Sequence, residues 1–239
     1  MFKNKFLVIV LSRMKLLLKR RFGIPTSIFV VILLSGLGYS VIALYGCAKR
    51  EIKNIDSKGK NIVCFGDSIT FGYGAEPGGD YPSALTKMTS VAVINAGIDG
   101  DTSTEAIKRI KSDVLDRDPF LVIVEFGGND FLRKIPQEET LNNMRVIIEE
   151  IQAQGAMVAV VDISTEMILK QYRSAFYNLA REKGAIFIPR ILSGIITNPR
   201  LKSDFIHPNA DGYNVIAQRI YRVITPYLNQ NLLARKFAK

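Results

Sequence analysis

Short, continuous apolar runs rich in β-branched residues recur through the second part of the chain. There are five: Ile62–Phe65, Val91–Ile94, Leu121–Phe126, Met157–Ile163 and Ala185–Ile188. These runs do not alternate with polar residues, and that pattern is typical of parallel strands that are covered on both faces.

Helical patterns lie between the predicted strands. Thr102–Glu105 has the sequence Thr-Ser-Thr-Glu, a capping box that predicts the start of a helix ending near Leu115. Three more helices are predicted, from Pro136 to Gly155, from about Glu166 to Gly184, and from Pro208 to about Asn229. This alternation predicts an α/β fold, a three-layer α/β/α sandwich with about five parallel strands. Ligands of such sheets bind outside the carboxyl ends of the strands.

The amino-terminal part has a different pattern. Residues 27–45 are 19 consecutive residues without a charge, which is long enough to cross a membrane. Cations precede this stretch, and the nearest four are Lys15, Lys19, Arg20 and Arg21. The positive-inside rule then places the start in the cytoplasm and the rest outside, although the cations that follow the stretch weaken this assignment. We expect residues 1–48 to be a basic leader with a membrane anchor or a lipoprotein signal, at the bacterial cell envelope.

The end of this stretch leaves two alternatives open. Residues 44–47 read Leu-Tyr-Gly-Cys and resemble a bacterial lipoprotein cleavage box, which would make Cys47 the lipidated residue. Tyr45 is bulky for that box and the hydrophobic run is long, so an uncleaved anchor is an equal alternative. A buried core helix is a third interpretation, which the flanking cations disfavour. Residues 49–60 are polar and predict a short tether, so the globular domain is expected over residues 61–228, followed by a basic tail over 229–239.

Composition and charge agree with this division. The chain has 239 residues, is 48% hydrophobic and carries a net charge of +10, a size that suits one compact domain. Residues 1–53 contribute +9 and residues 219–239 contribute +5, whereas residues 54–218 have 17 basic and 21 acidic residues and contribute −4. The globular part is therefore mildly acidic, which argues against a nucleic-acid partner.

The cysteine and histidine content limits the chemistry. Two cysteines do not make a disulfide framework, and Cys64 lies in an apolar run, where a small buried residue is expected. His207 is the only histidine, and no Cys/His cluster has metal-ligand spacing. We expect no metal and no cofactor.

Polar segments follow the predicted strands at the edge where ligands bind. They are Gly66-Asp67-Ser68, Asn95 to Ser103, Gly127-Gly128-Asn129-Asp130 and, far downstream, Asp204 to Asn209. Each has a simpler explanation when taken alone. Asp67 or Ser68 can cap a helix, Gly97 can be a turn residue, and His207 can lie on the surface.

Taken together, these residues fit acyl transfer. That chemistry needs a nucleophile, a base, a group that orients the base, and donors for the oxyanion. Ser68 is the candidate nucleophile and His207 the candidate base, and Asp204 is placed to accept from the imidazole Nδ1–H. Gly97, which has no Cβ, offers its N–H, and Asn129 offers a side-chain amide.

These four segments resemble the conserved blocks of the SGNH (GDSL) hydrolase superfamily over about residues 61–228. The stretch Asn95–Ser103 and the Val-Glu-Phe-Gly-Gly-Asn-Asp sequence that ends at Asp130 are similar to the bacterial thioesterase/lysophospholipase/arylesterase branch. The resemblance implies the flavodoxin-like SGNH fold. It also implies catalytic residues Ser68, Asp204 and His207, and an oxyanion hole formed by Ser68, Gly97 and Asn129.

The resemblance further implies a serine ester hydrolase that acts through a covalent acyl-serine intermediate. Its substrate would be a small-molecule or lipid ester, and the protein would be a monomer. Attachment to the membrane is expected from the amino-terminal segment described above. Two alternatives remain open. One is an esterase that removes O-acetyl groups from cell-surface carbohydrate, and the other is a membrane-tethered binding module without turnover.

Overall fold

One parallel sheet forms the centre of the domain. The computed structural model describes residues 51–165 and 169–237. Five strands pair in the order β2-β1-β3-β4-β5, all of them parallel. They are β1 (Asn61–Gly66), β2 (Val93–Gly97), β3 (Pro119–Glu125), β4 (Met157–Val161) and β5 (Ile186–Ile188). The predicted α/β class and strand number are confirmed.

Helices cover both faces of this sheet. They are α1 (Ser68–Phe71), α2 (Tyr81–Thr89), α3 (Ser103–Asp113), α4 (Gly128–Leu132), α5 (Gln137–Ala153), α6 (Lys170–Lys183) and α7 (Ala210–Phe237), with short 3₁₀ turns at Leu115–Arg117 and Pro199–Leu201. Helices α2 and α7 pack together, and α3, α5 and α6 pack in a row. This arrangement is the predicted three-layer sandwich.

The central strands are buried along their whole length. Every residue of β3 and β4 is buried, as continuous apolar runs require when helices cover both faces. The capping box is present, since the Thr102 side chain accepts from the Glu105 N–H and Glu105 accepts from the Thr102 N–H. Local sequence therefore sets both the strands and the start of α3.

Strand β2 lies further along the chain than its apolar run predicted. It begins at Val93 and continues to Gly97, because Asn95 and Ala96 pair with residues of β1. This register places Gly97 opposite Gly66, and Glu125 lies opposite Gly66 on the other side. Three strands thus end level with each other, and the polar segments that follow them meet at one edge.

The polar segment before β1 is attached to the domain from residue 51 onward. The Asn54 side chain donates to the carbonyls of Gln152 and Ala156, at 2.9 and 3.0 Å, and the Lys53 N–H donates to the Gly184 carbonyl at 2.9 Å. Part of the segment that was predicted to be a short polar tether over residues 49–60 therefore packs against the domain.

The last helix is longer than predicted and includes most of the expected basic tail. It continues to Phe237 because Asn231 and Arg235 bind the polar segment before β1. Asn231 donates to the Ile55 and Ser57 carbonyls at 2.8 and 2.9 Å, and Arg235 donates to the Ser57 and Gly59 carbonyls. The predicted basic tail is thus part of the last helix up to residue 237.

Within residues 51–165 and 169–237, no helix has the length and apolar character needed to cross a bilayer. The predicted membrane anchor at residues 27–45 and Cys47 lie outside the described residues.

Candidate active site

Ser68 lies where β1 meets the first short helix. It is the first residue of α1 and is 8% exposed. Asp67 caps this helix, and its Oδ1 accepts the Ile69 N–H at 3.0 Å. The Ser68 N–H has no hydrogen-bond partner among the described residues, as expected for an amide in the first turn of a helix. Both the hydroxyl and the amide of Ser68 are therefore available at the carboxyl edge of the sheet.

A hydrogen-bonded chain connects Ser68, His207 and Asp204. The distance from His207 Nε2 to Ser68 Oγ is 3.1 Å, and that from His207 Nδ1 to Asp204 Oδ2 is 2.7 Å. These contacts place a base beside the hydroxyl and a carboxylate behind the base, as nucleophilic acyl transfer requires. The structure thus brings together the three residues that the sequence singled out.

Asp204 is held as an anion by its hydrogen bonds. Its Oδ1 accepts the N–H groups of Ile206 and His207, at 2.9 and 2.8 Å. Desolvation raises the pKa of Asp204, but the bonds from the His207 ring and from the two N–H groups outweigh it and lower this pKa to about 2. A carboxylate charged at neutral pH fixes Nδ1 as the protonated nitrogen of His207 and leaves Nε2 to accept the serine proton.

A tyrosine that the sequence analysis did not identify packs on the base. The ring of Tyr73 contacts the His207 imidazole with 4.5 Å between centroids. The Tyr73 carbonyl in turn accepts the Tyr213 hydroxyl at 2.8 Å. The sequence gives no signal for this contact, because Tyr73 is a single aromatic residue after α1 and His207 lies 134 positions further along the chain.

Asn129 stands at the start of α4 and reaches both neighbouring loops. Its Nδ2 donates to the Asp101 carbonyl at 3.0 Å and to Asp67 Oδ2 at 3.2 Å. The amide therefore lies between the loop that carries Ser68 and the loop that follows β2. The structure thus brings Asn129 beside the Ser68 turn, with its amide bound to both loops.

Gly97 does not have the free amide that the sequence analysis assigned to it. Its N–H donates to Asn95 Oδ1 at 2.9 Å. A Cβ at this position would overlap the backbone of Thr70 and Phe71, so the glycine allows α1 to pack against the end of β2. The requirement for glycine at position 97 is thus one of packing.

Gly100 has the properties that were expected of Gly97. Its φ is +77°, its N–H has no partner among the described residues, and a Cβ there would meet only the Arg133 guanidinium at 3.6 Å. The next residue, Asp101, supplies the carbonyl that binds Asn129. Sequence could not separate the two glycines, because both belong to the same polar segment and only the strand register shows which one is packed.

Arg109 of α3 organises the loops around the site, and the sequence analysis did not identify it. Its guanidinium donates to the Gly66 and Ala96 carbonyls, at 3.0 and 2.8 Å, and pairs with Asp101 at 2.6 Å. It also lies over the Phe65 ring, 4.5 Å from the centroid. One side chain therefore joins the ends of β1 and β2 to the loop that carries Gly100.

A cavity of about 310 Å³ opens beside Ser68 and His207. Its lining is mainly apolar and includes Ile69, Phe131, Leu132, Ile163, Leu192 and Ile196. A larger open recess of about 500 Å³ lies at the other edge of the sheet, is lined mostly by polar residues and contains none of the candidate catalytic or oxyanion residues. Within the described parts of the chain, no group of three His, Cys, Asp or Glu side chains is placed to hold a metal ion.

Comparisons with known proteins agree with this geometry. Residues 64–215 match the GDSL-like Lipase/Acylhydrolase family. The chain is 28% identical to the Escherichia coli (strain K12) thioesterase 1/protease 1/lysophospholipase L1 over 178 residues, which are 71% of this chain and 86% of the relative. It is also 28% identical to an arylesterase of Vibrio mimicus, over 71% of this chain and 90% of the relative. Among solved structures, the psychrotrophic esterase EstA from Pseudoalteromonas sp. matches with a TM-score of 0.65 and 25% identity, covering 71% of this chain and 99% of EstA.

Proposed function

Because the chain belongs to the GDSL-like lipase/acylhydrolase family and is a carboxylic ester hydrolase, we propose that its reaction passes through an acyl intermediate on Ser68. The observation that carries this proposal is the chain of contacts from Ser68 Oγ to His207 and from His207 to Asp204, at 3.1 and 2.7 Å. Among the described residues, Ser68 is the only serine whose hydroxyl lies within hydrogen-bond distance of the His207 imidazole, since Ser203 binds the His207 backbone carbonyl instead.

The reaction begins when Ser68 Oγ attacks the acyl carbonyl carbon and His207 Nε2 takes the hydroxyl proton. The carbonyl electron pair moves to oxygen, and Asp204 stabilises the imidazolium. Collapse of this intermediate expels the alcohol or thiol, which takes the proton from Nε2. Water then attacks the acyl-serine in the same way, and the acid and the free serine are released.

Three donors stabilise the oxyanion in this proposal. They are the Ser68 N–H, the Asn129 side-chain amide and the Gly100 N–H, with Gly100 in the place first given to Gly97. The amides of Ser68 and Gly100 have no competing partner among the described residues. Removal of one such donor typically costs about 2.7–4 kcal/mol of barrier.

The cavity supports an ester or thioester with an apolar acyl chain as substrate. Its volume of about 310 Å³ is at the small end of the range of about 300–1,000 Å³ for small-molecule sites. An acyl chain would find apolar contacts in this cavity with Ile163, Leu192 and Ile196. These three side chains cannot form hydrogen bonds with a sugar. We therefore favour small-molecule or lipid esters over O-acetylated carbohydrate.

The amino-terminal sequence supports a location at the bacterial cell envelope. The uncharged stretch at residues 27–45, with cations before it, favours an anchored protein whose hydrolase domain lies outside the cytoplasm. We propose that the domain acts there as a monomer. A carbonate wash of membranes that carry the full chain or a chain without residues 1–48 tests the anchor; if both wash off equally, the anchor is excluded.

Hydrolysis of p-nitrophenyl esters tests the reaction. We expect Ser68→Ala to lose nearly all activity, whereas Ser174→Ala, which changes an exposed serine on α6, keeps it. Equal rates for Ser68→Ala and the wild type would exclude Ser68 as the nucleophile, and an inactive wild type would support the binding-module alternative. A panel of acetyl to dodecanoyl esters, lysophospholipid and acetylated glycan tests the substrate class. A strong preference for the glycan would overturn the assignment.

A further inference from the structure

Directly below Ser68, four polar side chains are buried in the domain. They are Asp67, Thr70, Tyr81 and Glu125, with exposed fractions of 2, 0, 0 and 0%. Glu125 is the last residue of β3 and lies opposite Gly66 in the sheet. The proposed reaction gives no role to Glu125, and a fully buried carboxyl group needs a physical explanation.

The contacts of Glu125 indicate that it is a neutral acid. Its Oε2 accepts the Thr70 hydroxyl at 2.9 Å and the Asp67 N–H at 3.3 Å. No N–H or O–H group of the described residues reaches its Oε1. An anionic carboxylate with one buried, undonated oxygen is costly, whereas a protonated Oε1 becomes a donor itself.

The neighbouring carboxyl group, with which that of Glu125 shares a side-chain hydrogen bond, belongs to Asp67. Burial raises the pKa of Glu125 well above its usual range, and the charge of Asp67 and the hydrogen bond to it raise it further. Burial also raises the pKa of Asp67, to about 6, although the bonds from Ile69 and Glu125 oppose this rise. At neutral pH the pair therefore holds one proton, on Glu125, and one negative charge, on Asp67.

The negative charge on Asp67 reaches the oxyanion donors. Asp67 Oδ1 accepts the Ile69 N–H and so fixes the turn that exposes the Ser68 amide. Asp67 Oδ2 accepts from the Asn129 Nδ2 at 3.2 Å, the longer of the two bonds that this amide donates. An oxyanion must compete with Asp67 for that N–H.

The sequence also leaves space for this arrangement. A Cβ on Gly66 would overlap the Thr70 hydroxyl and the Glu125 carboxyl group. The glycine of the Gly66-Asp67-Ser68 segment is thus needed for the buried acid to lie beside the turn.

We propose that Glu125 is a positioning residue for this site: as a neutral acid it donates to the Asp67 carboxylate, and Asp67 in turn holds the Ser68 turn and the Asn129 amide. The donated bond weakens Asp67 as an acceptor, so that Asn129 stays oriented but its N–H remains available to the oxyanion. This inference rests on the proposed acyl-serine reaction.

Two substitutions of similar size test the role of the donated bond. Glu125→Gln keeps a neutral donor, and Glu125→Met fills the same space without one. With p-nitrophenyl acetate we expect kcat of Glu125→Gln within about threefold of wild type. We expect Glu125→Met to lose about 10–100-fold in kcat with little change in KM, because misplaced donors affect the transition state. A Met variant as active as the Gln variant would overturn the proposal.

The pH profile separates positioning by a neutral acid from a role for a charged carboxylate. The titratable groups that face the pair are Tyr81, Tyr213, His207 and Asp130, and both variants leave all of them in place. We expect the kcat/KM profiles of wild type and Glu125→Gln to coincide from pH 5 to 9. A displaced acidic limb, or a tenfold loss in Glu125→Gln, would refute a neutral Glu125 even if the Met variant does not fold. Loss of activity in Ser68→Ala, measured alongside, shows separately that the proposed function holds.

Discussion

Asp204→Asn tests how the tautomer of His207 is set. Asp204 uses its two oxygens differently, because Oδ1 accepts two backbone N–H groups and Oδ2 accepts the imidazole Nδ1–H. An asparagine has one oxygen and one NH₂ group, so it can accept from the two backbone N–H groups or from the imidazole Nδ1–H, but not from both. If its oxygen faces the backbone, it keeps two bonds, and if its oxygen faces the imidazole, it keeps one.

The difference of one hydrogen bond decides the orientation. A net bond contributes about 0.5–1.5 kcal/mol, so the orientation toward the backbone is favoured about 2- to 13-fold. Its NH₂ group then faces Nδ1 and moves the imidazole proton to Nε2, where it points at Ser68 and prevents proton transfer. We expect kcat/KM to fall by about 10⁴, the size known for the corresponding change in Ser-His-Asp triads.

Loss of stability does not account for such an effect. The fall in the pKa of Asp204 from 3.8 to about 2 corresponds to at most about 2.5 kcal/mol. Since the side chain is 41% exposed, solvent screening reduces this value to about 1 kcal/mol. The variant should therefore fold at room temperature.

The assay compares kcat/KM for p-nitrophenyl acetate at pH 8 among three variants, with Tm as a check on folding. Asp204→Ala leaves both tautomers accessible and should be more active than Asp204→Asn. Asp99→Asn removes the same charge from an exposed position after β2 and should resemble wild type. An Asn variant that is more active than the Ala variant, or that keeps a tenth of wild-type activity, would refute this reasoning.

Two further predictions concern the glycines and the buried acid. Gly97→Ala should lower the free energy of unfolding by about 3 kcal/mol, because the new Cβ overlaps the backbone of α1. Gly100→Ala should lower it by about 1–2 kcal/mol, which is the cost of a positive φ. Urea unfolding that ranks the two variants in the opposite order would contradict the packing role of Gly97. Because the folded chain keeps a proton on Glu125 that the unfolded chain releases above its ordinary pKa, the contribution of Glu125 to stability is present at low pH and is lost as pH rises. The Tm of Glu125→Gln minus that of wild type should therefore be larger at pH 8 than at pH 5, and a constant difference would argue for an ionised Glu125.

The sequence predicted the sheet well because its signals are local. Continuous apolar runs identify buried parallel strands, and the box that begins at Thr102 identifies the start of α3. Ser68, Asp204, His207 and Asn129 were also predicted, since each lies in a short segment that follows a strand or precedes a helix. The geometry places all four at one edge of the sheet.

The residues that sequence missed depend on register and on long-range contacts. Gly97 and Gly100 are equivalent as letters in one polar segment, and only the pairing of β2 with β1 shows that the first is packed under α1. Glu125 lies within the predicted strand Leu121–Phe126, and nothing in that run marks it as part of a site. Arg109 is one of several cations on an amphipathic helix, and its contacts with Gly66 and Ala96 join segments that are 43 and 13 positions away.

The register of three strands explains why these missed residues matter together. Gly66, Gly97 and Glu125 lie side by side at the ends of β1, β2 and β3. The first glycine leaves room for the Glu125 carboxyl group, and the second lets α1 pack closely against β2. The short helix therefore starts at the edge of the sheet with its Ser68 amide unpaired, above an acid that the same register buries. A shift of β2 by one residue would place Ala96 against α1 and block that packing, so the free amide and the buried acid depend on a single alignment of the sheet.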